Sequence, residues 1–258
     1  MIITRTPFRI SFAGGGTDLK AYYAKEEGKV ISTSIDKYIY VVIKRQIGIV
    51  EHKYRINWSI VEFKNSINDI EHPIVREALR LFDIDFPIEI TTFTDIPGQT
   101  GLGSSSAFAV GLVHALHALK GEMVSKNTIA ATAANIEVDI LGRSMGKQDH
   151  YASAYGNLNT FTFNKNGTVN VEPVLYRIEV RDLIEKNLNL FYLKSKRDAS
   201  KILEIQEQNT PQIFNNLTKL KGFVDPLCEI FSSGLDINKF GEILHQSWLI
   251  KKGLTDVI

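Results

Sequence analysis

The chain has little cysteine and no excess of charge of either sign. Cys228 is the one cysteine among 258 residues, so no disulfide can form within the chain, which is typical of a protein in a reducing compartment. Lys and Arg number 30 against 29 Asp and Glu, which leaves a net charge of +1. A chain so nearly neutral has no bulk field to attract nucleic acid or an anionic membrane.

Long apolar runs are also missing. The longest, at residues 38–43 (YIYVVI), has the length of a strand and is too short to cross a bilayer. Residues 1–16 lack the apolar stretch of a signal peptide. Hydrophobic residues still make up 44% of the chain, which is ordinary for a globular protein. We therefore expect a soluble, cytoplasmic protein that binds neither membrane nor nucleic acid.

Strand-like runs dominate the first hundred residues, and helical spacing dominates the end of the chain. Strands are predicted at residues 2–4, 8–12, 30–34, 38–44, 54–58, 88–93, 159–163, 169–173 and 188–192. Helices are predicted at residues 73–81, from 104 to a stop at Gly121, from Ser125 to about 141, and from about 198 onward. This order predicts an α+β fold in which a β-rich half precedes a helix-rich half, with the seam near residues 175–195.

The strongest local signal is PGQTGLGSSSA at residues 97–107, which follows a predicted strand and opens a predicted helix. Glycines let the backbone approach a ligand closely, while the helix start offers free N–H groups and the positive end of the helix dipole. The segment therefore suits nucleotide phosphates, although it lacks the Gly-Lys-Ser/Thr ending of the common nucleotide loop. The alternative is a tight turn with a serine cap, which needs one glycine and one serine rather than three of each.

Two further segments carry weaker signals. In RISFAGGGTD, at residues 9–18, three glycines lie between Arg9 and Asp18, which indicates either a backbone close to a small polar group or a plain turn. In GKQDHY, at residues 146–151, Asp149 follows Glu137 by 12 positions. Such a pair can act as base and metal ligand in phosphoryl transfer. Alternatively, both are solvated surface charges.

Together the three segments resemble the GHMP kinases, the superfamily of galactokinase, homoserine kinase, mevalonate kinase and phosphomevalonate kinase. PGQTGLGSSSA is similar to the family's P-x-x-x-G-L-G-S-S-A motif at every defining position, and the resemblance covers roughly residues 5–160. It implies a two-lobed α+β fold. The N-terminal ATP-binding domain would span residues 1–180 and contain a β-α-β phosphate-binding unit like that of ribosomal protein S5. A helix-rich α+β C-terminal domain would span residues 181–258.

The resemblance also implies roles for individual residues. The phosphates of the co-substrate ATP would be bound by Pro97, Gly98, Gly101, Leu102, Gly103, Ser104, Ser105 and Ser106. Mg²⁺ would be held by Ser105 and Glu137. Asp149 would orient and deprotonate the sugar hydroxyl, with Arg9 as a second catalytic residue beside it. The substrate would be bound by Gly14, Gly15, Gly16, Thr17 and Asp18.

Within the family, the segments look closest to sugar-1-kinases of the D-glycero-D-manno-heptose 7-phosphate kinase type. That likeness implies phosphorylation of the anomeric hydroxyl to give the 1,7-bisphosphate, used for nucleotide-activated heptose and surface polysaccharide, by a monomer or homodimer. Gly15 and Gly16 stand where galactokinases carry Glu-His, which argues against galactose. Three alternatives stay open: a fucokinase-like enzyme, an isoprenoid-acid kinase, and a catalytically inactive sugar-binding regulator.

Two features near the end of the sequence bear on this resemblance. The family's third motif, a glycine-rich loop near the C-terminus, is not found in residues 181–258. We therefore expect the C-terminal domain to be incomplete in this sequence. The basic run KSKR at residues 194–197 is either a solvated loop or a contact for a substrate phosphate.

Overall fold

A mixed sheet of seven strands forms the centre of the computed structural model, which describes residues 1–98, 100–191, 209–234 and 236–254. The strands are β1 (Ile2–Ala13), β2 (Gly28–Arg45), β3 (Tyr54–Asn57), β4 (Val61–Lys64), β5 (Ile88–Thr94), β6 (Leu158–Phe163) and β7 (Val169–Pro173). The order is β4-β3-β5-β2-β6-β7. Strand β1 pairs along one edge of the long β2, while β5 and β6 share its other edge. Among these strands, β3 and β5 are parallel and the other pairs are antiparallel.

Helices connect the strands and make up the regular structure of the described residues after β7. They are α1 (Lys20–Tyr23), α2 (Pro73–Leu81), α3 (Ser104–Leu119), α4 (Lys126–Ala134), α5 (Gln148–Tyr155), α6 (Ile178–Asn187), α7 (Thr210–Lys221), α8 (Val224–Ser233) and α9 (Ile237–Lys252). A 3-10 turn at Ile67–Asp69 precedes α2, and a π-helical segment at Asn135–Ile140 continues α4. No helix among the described residues is both long and apolar enough to span a membrane.

The predicted α+β class is confirmed, and several elements have the predicted bounds. The helix at residues 73–81 and the strand at residues 169–173 agree with the structure residue for residue. The Ser125 side chain caps α4 as predicted, since it accepts from Thr128 N. The strands predicted at 2–4 and 8–12 are one strand, because a register shift between Pro7 and Arg9 lets the ladder with β2 continue. Residues 30–34 and 38–44 likewise belong to a single strand.

Other predicted elements were missed or wrong. Helices α1, α5 and α6 and strand β4 were not predicted. The strand predicted at residues 188–192 is wrong for 188–191, which follow α6 without regular structure. Tyr192, the first part of the helical stretch predicted from about residue 198, and the basic run at 194–197 lie outside the described residues.

Two buried clusters position the elements that carry the candidate site. The larger one packs α2, α3 and α4 against the sheet, with Phe8 of β1 and Leu112 of α3 among its fully buried members. The second packs α6, α8 and α9 against Phe12 of β1 and Ile31 of β2. Strand β1 therefore belongs to both clusters, through Phe8 in the first and Phe12 in the second. The loop at residues 14–18 follows it directly.

Candidate active site

The loop before α3 is attached to β1 through Arg9. The Arg9 backbone N–H donates to the Leu102 carbonyl at 3.4 Å, and Arg9 Nη1 donates to the Gly101 carbonyl at 3.0 Å. Gly101 and Gly103 have φ values of 76° and 77°, the left-handed region that glycine adopts without strain. Pro97 and Gly98 are exposed at the start of this loop, and the Gln99 position lies outside the described residues.

Three consecutive serines form the first turn of α3. Ser104 and Ser105 are partly exposed, whereas Ser106 is buried and its hydroxyl has no hydrogen-bond partner in the described part of the chain. The free N–H groups of a helix start and the positive end of its dipole favour an anion at this position. The loop and the serines together can therefore hold phosphate oxygens.

Asp149 lies beside this turn and is paired with Arg9. Its Oδ1 accepts from Arg9 Nη2 at 2.6 Å and from Arg9 Nε at 2.7 Å. A Cβ built on Gly103 would lie 3.1 Å from Asp149 Oδ2, so the loop backbone and this second carboxylate oxygen are close neighbours. The side chains of Arg9 and Asp149 are 12% and 17% exposed. The pair is thus shielded but still open to a bound molecule.

A second carboxylate, Glu137, is fully buried within a network of hydrogen-bond donors. Ser105 Oγ and Arg143 Nη1 both donate to Glu137 Oε1, and His150 Nε2 lies 2.9 Å from Glu137 Oε2. Arg143 Nη1 also donates to Ser105 Oγ at 2.8 Å. Burial alone would raise the pKa of Glu137, but the hydrogen bond and charge of His150, with Ser105 and Arg143, hold that pKa below its ordinary value. Glu137 is therefore ionised near neutral pH.

The Ser105 and Glu137 oxygens suit a hard divalent cation. Both contact the guanidinium of Arg143, so a positive charge is already favoured between them. No group of three or more His, Cys, Asp or Glu side chains converges within the described residues. Mg²⁺ does not require one, because it usually keeps several waters and takes one or two carboxylates together with substrate phosphates.

Asp18 is buried with its carboxylate bound to protein donors. Its Oδ1 accepts from Gly16 N and from Gln148 Nε2, both at 3.0 Å, and its Oδ2 accepts from Gln148 N at 3.2 Å. Burial and the negative charge of Asp149 raise the pKa of Asp18, and the backbone N–H groups of Gln148 and Gly16 oppose that rise. Because Gln148 precedes Asp149 in the chain, Asp18 holds the backbone that carries Asp149.

The glycine-rich segment before Asp18 is shaped by close backbone contacts. A Cβ on Gly14, whose φ is 86°, would overlap the carbonyl of Lys29. Thr17 Oγ1 donates to the Gly14 carbonyl at 2.7 Å and accepts from Lys29 N at 3.1 Å. These contacts fix the turn against β2. Gly15 is partly exposed and faces Gln148 Nε2, and the buried hydroxyl of Ser11 nearby has no partner among the described residues.

The structure brings the three predicted segments into one place. Arg9 and Asp149 are in direct contact, as are Ser105 and Glu137, and Asp18 is joined to the Asp149 segment through Gln148. Of the predicted phosphate-binding residues, Gly101 and Leu102 contact Arg9, while Pro97 and Gly98 lie farther out on the loop surface.

Four residues with clear contacts in the site were missed from sequence. They are Arg143, Gly146, Gln148 and His150, which lie on one stretch around Asp149. That stretch, GRSMGKQDH, places basic, amide and imidazole groups close to a carboxylate, which was an available signal. The sequence could not show that Arg143 and His150 contact Glu137, or that Gln148 contacts Asp18, because Glu137 and Asp18 lie in other parts of the chain.

A cavity of about 270 Å³ adjoins the site on the side of α1. Its lining includes Asp18, Lys20, Asp139, Arg143 and Lys147. Lys147 Nζ also lies 3.3 Å from the Gly167 carbonyl and 5.7 Å from the centre of the Tyr23 ring.

Comparison with known proteins and family models shows what this chain is similar to. Residues 73–157 match the family model described as the GHMP kinases N terminal domain. The chain is 28% identical to the D-glycero-alpha-D-manno-heptose 7-phosphate kinase of Campylobacter jejuni, over 100% of this chain and 79% of that protein. It is 22% identical to the galactokinase of Thermotoga petrophila, over 78% of this chain and 59% of that enzyme's length.

Solved structures of kinases share the fold of this chain. A D-glycero-D-manno-heptose 1-phosphate kinase from Bacteroides thetaiotaomicron superposes with a TM-score of 0.81 at 24% identity, covering 98% of this chain and 79% of that one. The phosphomevalonate kinase of Streptococcus pneumoniae, solved with phosphomevalonate and AMPPNP, gives a TM-score of 0.75 at 17% identity. The match covers 99% of this chain and 81% of that one. At these identities the likeness establishes the fold. The chain therefore has the fold of these kinases, and its residues 73–157 match the model of the GHMP kinase N-terminal domain.

Proposed function

We propose that this protein is an ATP-dependent sugar kinase that transfers the γ-phosphoryl group to a sugar hydroxyl beside Asp149. The observation that carries the proposal is the position of the Arg9–Asp149 pair against Gly103, in the loop that opens α3. A base next to a phosphate-binding helix start is what in-line phosphoryl transfer requires, since catalysis there consists mainly of positioning and charge stabilisation.

Asp149 would accept the proton of the acceptor hydroxyl. Arg9 engages Oδ1 twice, which holds the carboxylate in one orientation and leaves Oδ2 beside the loop for the incoming hydroxyl. Asp18 would then be a positioning residue, because its oxygens accept from Gly16 and Gln148. The partly exposed Gly15 and the unpartnered Ser11 hydroxyl leave polar groups available for the sugar.

Mg²⁺ would be held by Ser105 and Glu137, where it would neutralise charge on the ATP phosphates. His150 and Arg143 keep Glu137 ionised, which a ligand for a hard cation must be. Arg143 contacts the same two oxygens, so its guanidinium must give up at least one of these contacts when a metal ion binds.

The acceptor we propose is D-glycero-D-manno-heptose 7-phosphate, phosphorylated at its anomeric hydroxyl. The relative from Campylobacter jejuni supports this choice, because all of this chain aligns with 79% of that protein at 28% identity. Gly15 and Gly16 also support it, since neither carries the side chain that galactokinases have there. The division into domains at residues 1–180 and 181–258 is part of the same proposal.

A coupled assay of ADP release tests the proposal. The acceptors are heptose 7-phosphate, fucose, galactose and mevalonate, each with MgATP, and the Asp149→Asn variant is the control. We expect turnover with heptose 7-phosphate, and turnover lower by about 10²–10⁴-fold with the variant. Turnover confined to fucose or mevalonate would contradict the proposed acceptor. Binding of sugar without any turnover would favour an inactive sugar-binding regulator.

A further inference from the structure

A lysine on α9 has an ammonium group that is unpaired among the described residues. Lys251, on α9, forms no hydrogen bond or ion pair within the part of the chain that the structure describes. Some lysines elsewhere have such partners, for example Lys29 with Asp225 and Lys221 with Glu26. An ammonium group that forms no ion pair is available to an anionic ligand.

The packing of α9 directs Lys251 toward the site. Near its start, the Phe240 ring packs against Phe12 of β1, with ring centres 5.5 Å apart. Beyond its end, Leu254 is buried in the cluster of Tyr22, which belongs to α1 and follows Asp18 by four positions. The helix thus runs from the end of β1 to α1, past the loop that contains Asp18.

Lys251 occupies the inward face of this helix. The buried residues Phe240, Ile243 and Ser247 are spaced by three and four positions, and Leu254 continues the same row. Lys251 comes four after Ser247 and three before Leu254, so its side chain leaves the helix on the buried face. The residue is nevertheless exposed to solvent, as is Lys252. Solvent access on an inward face means that the side chain lies along a cleft.

The charged groups that act on Lys251 are Arg9, Asp149 and Asp18, which belong to the proposed acceptor site. Burial lowers the pKa of its ammonium group and the positive charge of Arg9 lowers it further, while Asp149 and Asp18 oppose that change. These influences agree with the path of α9 past the loop that contains Asp18.

From this geometry we propose that Lys251 binds the phosphate group of a phosphorylated acceptor and so selects sugar phosphates over free sugars. The inference rests on the proposed kinase function and adds a specificity-determining residue to it. An acceptor that already carries a phosphate monoester brings two negative charges toward a site that contains two carboxylates. A cation that the protein leaves unpaired offsets that repulsion and forms a charge-assisted hydrogen bond.

The test compares Lys251→Met with Lys252→Met, its exposed neighbour on α9. Each protein is saturated with AMPPNP and Mg²⁺ so that the phosphate loop is occupied. Binding of heptose 7-phosphate and of unphosphorylated heptose is then measured by calorimetry. We expect Lys251→Met to weaken heptose 7-phosphate binding at least about tenfold while leaving heptose unchanged, and Lys252→Met to change neither.

Three results would overturn the inference. Equal weakening of both sugars would mean that Lys251 contacts the sugar itself. Weakened AMPPNP binding alone would place Lys251 at the nucleotide. A selective loss in Lys20→Met or Lys147→Met, with none in Lys251→Met, would place the acceptor phosphate in the neighbouring 270 Å³ cavity.

Inorganic phosphate gives a readout that does not depend on the identity of the sugar. With AMPPNP and Mg²⁺ bound, millimolar phosphate should raise the melting temperature of wild type and of Lys252→Met, but not that of Lys251→Met. If wild type fails to phosphorylate any sugar yet shows this pattern, the proposed function is wrong and the phosphate site stands. If the three proteins respond alike, the phosphate site is wrong.

Discussion

Gly146 lies directly against the Asp18 carboxylate, so that a Cβ built on Gly146 would overlap Asp18 Oδ2. The contact explains why a glycine precedes the start of α5. Asp18 accepts from Gln148 N, and that hydrogen bond requires the backbone of residues 146–148 to approach the buried carboxylate closely. The two segments are thereby fixed to each other, and with them the position of Asp149.

Gly146→Ala should therefore damage the site. The added methyl group must displace either Asp18 or the backbone leading to Asp149, and overpacking of this kind lowers the free energy of unfolding by roughly 1–3 kcal/mol. We expect kcat/KM to fall by about 10²-fold or more, because the base loses its alignment. The control is Gly241→Ala, where the new Cβ meets open space. Wild-type kinetics in Gly146→Ala would show that the contact does not govern the site.

Asp149→Asn tests the assignment of the base. The amide oxygen can still accept from Arg9, so the fold and the loop should be retained, but an amide cannot take up a proton. We expect kcat to fall by about 10²–10⁴-fold, while AMPPNP binding measured by calorimetry stays close to wild type. Asp139→Asn, at an exposed carboxylate of the π-helical segment, is the matched control. Turnover near wild type in Asp149→Asn would rule the assignment out.

Glu137→Gln tests the metal assignment. A neutral amide is a poorer ligand for a hard cation, so the Mg²⁺ concentration that gives half-maximal activity should rise. Binding of Mn²⁺ in the presence of AMPPNP, followed by electron paramagnetic resonance, should weaken in parallel. Unchanged Mn²⁺ binding would mean that Glu137 does not hold the metal.

Arg143→Met should have the opposite effect on the metal. Arg143 donates to both Ser105 and Glu137, so its guanidinium competes with a divalent cation for the same oxygens. Removing it should strengthen Mn²⁺ binding and lower the free energy of unfolding of the metal-free protein, because the Glu137 charge loses a buried partner. Weaker Mn²⁺ binding in Arg143→Met would show that Arg143 supports the metal site instead of competing for it.

His72 should make the fold sensitive to mild acid. Burial between Trp58 and Phe108 lowers the pKa of His72 to about 4, against the opposing negative charge of Glu62. Between pH 6.5 and about 4 the unfolded chain therefore binds a proton that the folded chain does not. As the pH is lowered through this window, the free energy of unfolding should therefore decrease. The contribution of His72 to this decrease is on the order of 2–3 kcal/mol.

Urea unfolding at a series of pH values measures this contribution. His72→Asn keeps an acceptor at the N-cap of α2 but removes the titrating group, so its stability should depend less on pH between 6.5 and 4. His245→Asn, at an exposed position on α9, should follow the wild-type curve. Identical curves for wild type and His72→Asn would contradict the account.

The sequence was sufficient for several strands and helices and for the glycine-rich loop before α3. The bounds of helix α2 and strand β7 could be predicted because a local signal marks each boundary, such as Pro73 at the start of α2. The sequence did not show that the predicted strands at residues 2–4 and 8–12 are one strand, because the strand continues across Pro7 only through its pairing with β2. Helix α5 was missed because its residues pack against α3 and α4 and show no strong amphipathic period.

The contacts between distant residues could not be read from the sequence. Local pattern indicated that Asp18, Glu137 and Asp149 were candidates, but not that Asp18 would be bound to Gln148, or that His150 would pair with Glu137. Lys251 gave no signal at all, since a lysine in the last turn of a helix is ordinarily a solvated charge. Its relation to the site depends on how α9 packs against β1 and α1.

The most direct test of the central claim is the chemical position of the transferred phosphate. Wild-type protein is incubated with MgATP and heptose 7-phosphate, and the product is examined by phosphorus NMR. We predict a new phosphate signal coupled to the anomeric proton, in stoichiometric balance with ADP, and its absence with Asp149→Asn. If folded, ATP-binding protein forms no such phosphate with heptose 7-phosphate or with any other sugar offered, the assignment of this site as a sugar kinase is wrong.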